Sequence, residues 1–159
     1  QVQGPFDLIT LIMCDFCALS HAGRDTLLDT FHRLLSPGGN LVLDVLTLDF
    51  YATVQEKRSY EYLQQDGFWA ASPHYCFSTT FKYDDQDLYL DRHVIYEAER
   101  TREIYNWMTC YSLDTLERLL AGHGFKVASA HANVAGDPWH ANDNADRKDM
   151  ELAVVAQKV

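Results

Sequence analysis

The chain opens on an apolar run with little alternation. Phe6-Asp7-Leu8-Ile9-Thr10-Leu11-Ile12-Met13-Cys14 has the pattern of a central β-strand covered on both faces. From Arg24 onward Leu27, Leu28, Phe31, Leu34 and Leu35 recur at helical spacing, with Arg24, Asp25, Asp29 and Arg33 on other faces. Pro37-Gly38-Gly39 stops this helix and turns the chain into a second apolar run, Leu41-Val42-Leu43-Asp44-Val45. Strand, crossover helix and strand make the unit of a parallel sheet, and the connection is right-handed in nearly every case.

The middle third changes character. Residues 49–65 read as one or two short helices and 66–75 as an aromatic loop. Three β-rich runs follow, Cys76–Tyr83, Leu88–Tyr96 and Ile104–Tyr111, and the short polar connections between them predict an antiparallel meander. In the second run Leu88, Leu90, Arg92, Val94 and Tyr96 fall on one face, and Tyr89, Asp91, His93 and Ile95 on the other. A helical stripe then returns: Ser112 is placed as an N-cap, Leu113, Leu116, Leu119 and Leu120 line one face, and Gly122-His123-Gly124-Phe125 ends it. Lys126–Val134 and Glu151–Lys158 read as the last strands, joined by a loop through Pro138, Trp139 and several Asn and Asp residues. At 159 residues the chain has the size of one domain, 1–159, with residues 66–111 as a β-rich insertion or lid within it.

Charge narrows the partners. Thirteen Lys and Arg stand against 23 Asp and Glu, a formal charge of -10 that repels phosphate backbones, so nucleic acid is not expected as a partner. No run approaches the roughly 20 apolar residues of a membrane span, and the first residues lack a signal-peptide pattern. The expectation is a soluble, cytoplasmic protein with no membrane partner. Cys14, Cys17, Cys76 and Cys110 are too few and too irregular for a disulfide framework. Cys14-Asp15-Phe16-Cys17 has C-x-x-C spacing but lacks the second pair that a zinc ribbon needs, so no metal is expected.

Phe6-Asp7-Leu8-Ile9 at a strand start, Leu35-Ser36-Pro37-Gly38-Gly39-Asn40-Leu41 before the next strand, Gly124-Phe125 before another and a C-terminal strand over Leu152–Gln157 stand in one order. That order resembles the second half of the seven-stranded fold of class I S-adenosylmethionine-dependent methyltransferases. The resemblance implies an α/β fold: a partial Rossmann-like sheet of parallel strands, an antiparallel C-terminal strand lying between its two predecessors, and the antiparallel meander as an insertion. It also implies that S-adenosylmethionine is the cofactor, met by the residues after the first strand, Met13, Cys14, Asp15 and Phe16. Asp15 is equally readable as a loop or helix cap. Beyond the second strand, residues 44–47 fall at the same sheet end.

Cys14-Asp15-Phe16-Cys17 stands where nucleic-acid amino-methyltransferases carry Asp/Asn-Pro-Pro-aromatic, which favours a small-molecule acceptor. Thr47, Trp69, Tyr105, Trp107 and Tyr111 are the expected acceptor contacts, the last three sharing a face by strand alternation. No catalytic residue is assigned; His74 and His93 are general-base candidates by residue type alone. The family's glycine-rich turn has no counterpart in the sequence, which points to a C-terminal portion or a degenerate relative that binds S-adenosylmethionine weakly or not at all. The first strand is then an open sheet edge, and a homodimer or higher assembly through that strand or through the uncovered sheet face is expected. Two other readings explain less or different features: a noncatalytic binding or dimerisation module built on the aromatic sheet, and a flavodoxin-like protein.

Overall fold

A computed structural model describes residues 3–140 and 149–159. The Asn- and Asp-rich part of the expected loop after Trp139 lies outside these residues. In chain order the elements are β1 (Phe6–Leu11), a short 3-10 turn (Asp15–Ala18), α1 (His21–Leu34), β2 (Leu35–Leu46), α2 (Leu48–Thr53), β3 (Lys57–Leu63), β4 (His74–Tyr83), β5 (Leu88–Glu97), β6 (Thr101–Thr109), α3 (Leu113–Gly122), β7 (Phe125–His131) and β8 (Glu151–Lys158). They form an α/β fold with two sheets whose pairings are mostly antiparallel. Two compact units divide the chain, one taking the residues up to Ala52 and from Thr109, the other Thr53–Met108.

The first unit carries the sheet β1-β2-β8-β7. β1 runs parallel to β2, and β8 lies between β2 and β7, antiparallel to both. Leu41, Leu43 and Val45 of β2 and Leu152, Val154 and Ala156 of β8 are fully buried, so the core sits on the two middle strands. Leu28 of α1 and Leu116 and Leu120 of α3 are buried as well. β1 lies at the sheet edge, as expected, but it ends at Leu11 and is not covered on both faces, since Leu8, Ile12 and Met13 are exposed. An apolar run reports that a strand can be covered, not that a neighbour is there to cover it.

Local signals explain the boundaries. α1 begins at His21, before the expected Arg24, because the Ser20 hydroxyl accepts from the Gly23 amide at 3.2 Å. Ser112 caps α3 as expected, in a reciprocal box with Thr115. At the Pro-Gly-Gly turn the β1–β2 register jumps from Phe6–Leu35 to Leu8–Asn40, so the intervening residues bulge out of the ladder. Gly38 at φ +73° makes that bulge without a Cβ penalty.

The second unit is a four-stranded sheet in the order β3-β4-β5-β6. Residues 49–65 are corrected here: the helix stops at Thr53, and Lys57–Leu63 is a strand paired antiparallel with β4. Arg58, Tyr60 and Tyr62 alternate with Ser59 and Glu61, a period of two in a segment whose residues are nearly all exposed. Polar alternation on an uncovered strand lacks the apolar contrast by which strands are read. The third run is corrected too, since β6 is Thr101–Thr109 and Tyr111 lies beyond it, in the first unit.

Candidate functional site

Ligands of open α/β sheets gather beyond the carboxyl ends of the parallel strands. At that end of β1 the backbone turns through two consecutive left-handed residues, Met13 at φ +75° and Cys14 at φ +56°. Each costs on the order of 1 kcal/mol for a side-chain-bearing residue. Asp44, buried near the end of β2, compensates for this. One carboxylate oxygen accepts from the Cys14 amide at 2.8 Å and the other from the Met13 amide at 3.1 Å. The turn is therefore locked by a charge that has left water.

Below it lies an aromatic and polar floor. Phe16 is fully buried with its ring centroid 6.0 Å from that of Tyr111. The Tyr111 hydroxyl accepts a hydrogen bond from the buried Arg24 guanidinium. The Tyr111 amide donates to the Leu46 carbonyl at 2.9 Å, and the Leu46 amide donates to Cys17 Sγ at 3.2 Å. Thr47 forms a parallel bridge with Tyr111. Its hydroxyl donates to the Asp149 carbonyl at 2.6 Å and accepts from the Phe50 amide at 3.0 Å, which starts α2.

The thiols here are kept neutral. Burial, helped by the Asp44 charge, pushes Cys14 up to about 12, and burial pushes Cys17 to about 11 against the opposing Leu46 hydrogen bond. Tyr111 rises to about 12 by burial, although Arg24 pulls the other way. At neutral pH none of the three is a charged nucleophile.

The residues expected from sequence are only partly gathered. Met13 and Asp15 face solvent at the turn, Met13 at 81% exposure, while Cys14 and Phe16 point inward. Thr47 and Tyr111 meet, but as framework whose hydroxyls are already engaged. Trp69 belongs to the other unit, where its ring lies tilted against His93 with centroids 4.7 Å apart and its carbonyl accepts from Arg102 at 2.6 Å. Tyr105 and Trp107 lie on the opposite face of that sheet, the face of Arg92. The expected shared face of Tyr105, Trp107 and Tyr111 does not form, because the strand ends before Tyr111. His93 bonds Ser78 at 2.9 Å, and His74 is buried with Nδ1 on the Ser72 carbonyl.

Sequence reasoning missed Arg24 and the task of Asp44. The apolar spacing sets Arg24 on a face other than that of the leucines, yet it stands four positions before the buried Leu28, on the same helix face. That spacing was the available signal.

The second unit has its own surface. Tyr60 and Tyr62 of β3, Tyr75 and Phe77 of β4, Tyr96 of β5, and Tyr105 and Trp107 of β6 share one face, and all seven rings are exposed. Their rings touch in series: Tyr62–Tyr75 at 4.7 Å, Tyr75–Phe77 at 6.4 Å and Phe77–Tyr96 at 5.6 Å. An open groove of about 550 Å³ runs among Tyr75, Phe77, Arg92, Val94 and Tyr96.

No family model matches the sequence, and no curated protein sequence does. Solved structures do match. The CcbJ methyltransferase from Streptomyces caelestis aligns over 98% of this chain and 58% of its own, with a TM-score of 0.65 at 12% identity. An S-adenosylmethionine-dependent methyltransferase from Clostridium acetobutylicum aligns over 99% and 60%, with a TM-score of 0.68 at 11% identity. CalS10, an amino pentose methyltransferase from Micromonospora echinaspora solved with S-adenosylmethionine bound, aligns over 100% and 61%, with a TM-score of 0.54 at 16% identity. The chain thus spans about three fifths of the length of these neighbours. With nearly the whole chain aligned, it has a class I methyltransferase-like fold.

Proposed function

We propose that these residues belong to an S-adenosylmethionine-dependent methyltransferase acting on a small-molecule acceptor, within a partial Rossmann-like sheet. Met13, Cys14, Asp15 and Phe16 form the wall against the methionine end of the cofactor. The observation that carries this reading is the turn after β1, two left-handed residues held by a buried carboxylate at the sheet end where α/β folds take ligands. Such a turn is rigid before any ligand arrives, and it leaves the thioether of Met13 and the carboxylate of Asp15 open to solvent. When bound, S-adenosylmethionine supplies a methyl group already activated on a sulfonium, so the protein's share is placement and exclusion of water. Cys14, kept as a thiol, presents no competing thiolate beside that methyl group.

The net charge of -10 and the Cys-Asp-Phe-Cys sequence after β1 support a small acceptor over nucleic acid. The amino pentose named for one neighbour makes amine-bearing sugars the first acceptors to test. The sequence holds no G-x-G-x-G turn, so on this reading residues 1–159 alone bind the cofactor weakly or not at all. Isothermal titration with S-adenosylmethionine and S-adenosylhomocysteine, on these residues and on a longer natural polypeptide carrying them, tests it. Binding by the longer form, weakened by Asp44→Ala, is expected; no binding by the longer form overturns the reading.

A further inference from the structure

We propose that the aromatic face of the second unit is where two copies of this chain meet, face to face, about a two-fold axis running along the strands. The inference is independent of the methyltransferase reading. Phe, Tyr and Trp side chains offer roughly 150–250 Å² each. The seven rings are between 43% and 73% exposed, so together they present about 700 Å² of aromatic surface. A monomer's largest apolar patch is about 300–600 Å², and a stable complex buries about 800 Å² per partner. The face is too large for an idle surface and of the size one partner contributes.

Charge selects a second copy as the occupant. On a chain of formal charge -10, copies repel through most of their surfaces. By strand alternation the charged residues on this face, among the described ones, are Arg58, Arg92 and Glu103. Arg92 and Glu103 already pair at 3.0 Å. Arg58 stands at the β3 edge, level with Arg92 through the register Arg58–Thr79–Arg92, while Glu103 stands at the β6 edge. A two-fold axis parallel to the strands lays β3 of one copy over β6 of the other at the same height. Arg58 of each copy then stands at the height of its partner's Arg92–Glu103 pair, and β4 of one copy lies over β5 of the other, which sets Tyr75 against Tyr96 and Phe77 against Val94. The face is complementary to itself in shape class and in charge.

Sedimentation equilibrium of the whole chain at up to about 100 µM, above the range expected for an interface of this size, is the test. A dimer is expected. Phe77→Arg, at an exposed position, gives a monomer with unchanged circular dichroism, and Tyr96→Lys gives the same result should the first variant fold poorly. Arg58→Glu weakens the dimer about tenfold, and adding Glu103→Arg restores part of the loss. Leu8→Lys on the β1 edge leaves the dimer intact. A monomeric wild type, a dimer that survives both face variants, or one that dissolves with Leu8→Lys each overturns the proposal.

Discussion

The two units differ most in where their large aromatic rings lie. In the first, charged and hydroxyl groups are inside: Asp44, Arg24 and Thr47 are buried, and each is tied to a named backbone or side-chain partner. In the second, large aromatic rings stand outside, while the buried positions go to residues such as Ile95, Cys76, His74 and Thr80. Buried polar groups answer a demand internal to the fold, since an unpaired amide out of water costs free energy. Exposed aromatic rings answer none, because an unfolded chain exposes them just as well. Polar groups inside therefore report on how a turn is held, and rings outside report on something yet to be covered.

The largest expected effect comes from removing a partner inside the first unit. Asp44→Ala leaves the Met13 and Cys14 amides without their acceptor and releases two left-handed residues, a loss of about 3 kcal/mol. Asp44→Asn keeps one acceptor oxygen and loses about half of that. Urea denaturation measures the total, and hydrogen exchange should place the lost protection at the β1–β2 ladder. A change below about 1 kcal/mol for the alanine variant would mean that the turn holds its shape without the carboxylate.

A smaller effect is expected from overfilling the second unit. A Cβ on Gly67 would lie 2.4 Å from His74 Cε1 and 2.8 Å from Leu63 Cδ1. His74 is fully buried with Nδ1 on the Ser72 carbonyl, so it has little room to move. Gly67→Ala should cost about 2 kcal/mol. Thermal melting checks it, and a neutral result would show that the loop carrying Gly67 shifts at no cost.

What could be read from sequence follows the same division. The parallel pair β1–β2, the helix between them, the cap at Ser112 and the C-terminal strand were legible because each rests on local periodicity or on a residue with one conformational role. β3 was not, since a strand with neither face covered has no apolar contrast to betray its period. The site was half legible. Rules for sheet ends pointed to Met13–Phe16, but they cannot say that Thr47 and Tyr111 are consumed as framework, because that depends on partners distant in sequence such as Asp149 and Arg24. Strand alternation united Tyr105 and Trp107 correctly and then carried Tyr111 with them past the point where the strand stops.

The smallest effect is one of pH, and its sign should differ between the units. In the second unit the Glu97 carboxylate accepts from Arg100 at 2.7 Å and 3.2 Å, from Arg102 at 3.1 Å and from Ser72 at 3.1 Å. The Arg100 hydrogen bonds above all hold it down from 4.5 to about 2. A depressed carboxyl contributes stability that is fully present above its unfolded value near 4.5 and is lost as pH falls toward about 2. Cys14, Cys17 and Tyr111 in the first unit are raised instead, to about 12, 11 and 12 from 9.0, 9.0 and 10.0. Their unfolded forms ionise first, so that unit loses stability as pH rises above 9.0. Hydrogen exchange across pH, corrected for the intrinsic rate, should show acid loosening in β4–β5 and alkaline loosening in β1–β2. Glu97→Gln should flatten the acid limb and leave the alkaline one unchanged; an acid limb that persists in this variant would assign the titration to another carboxyl.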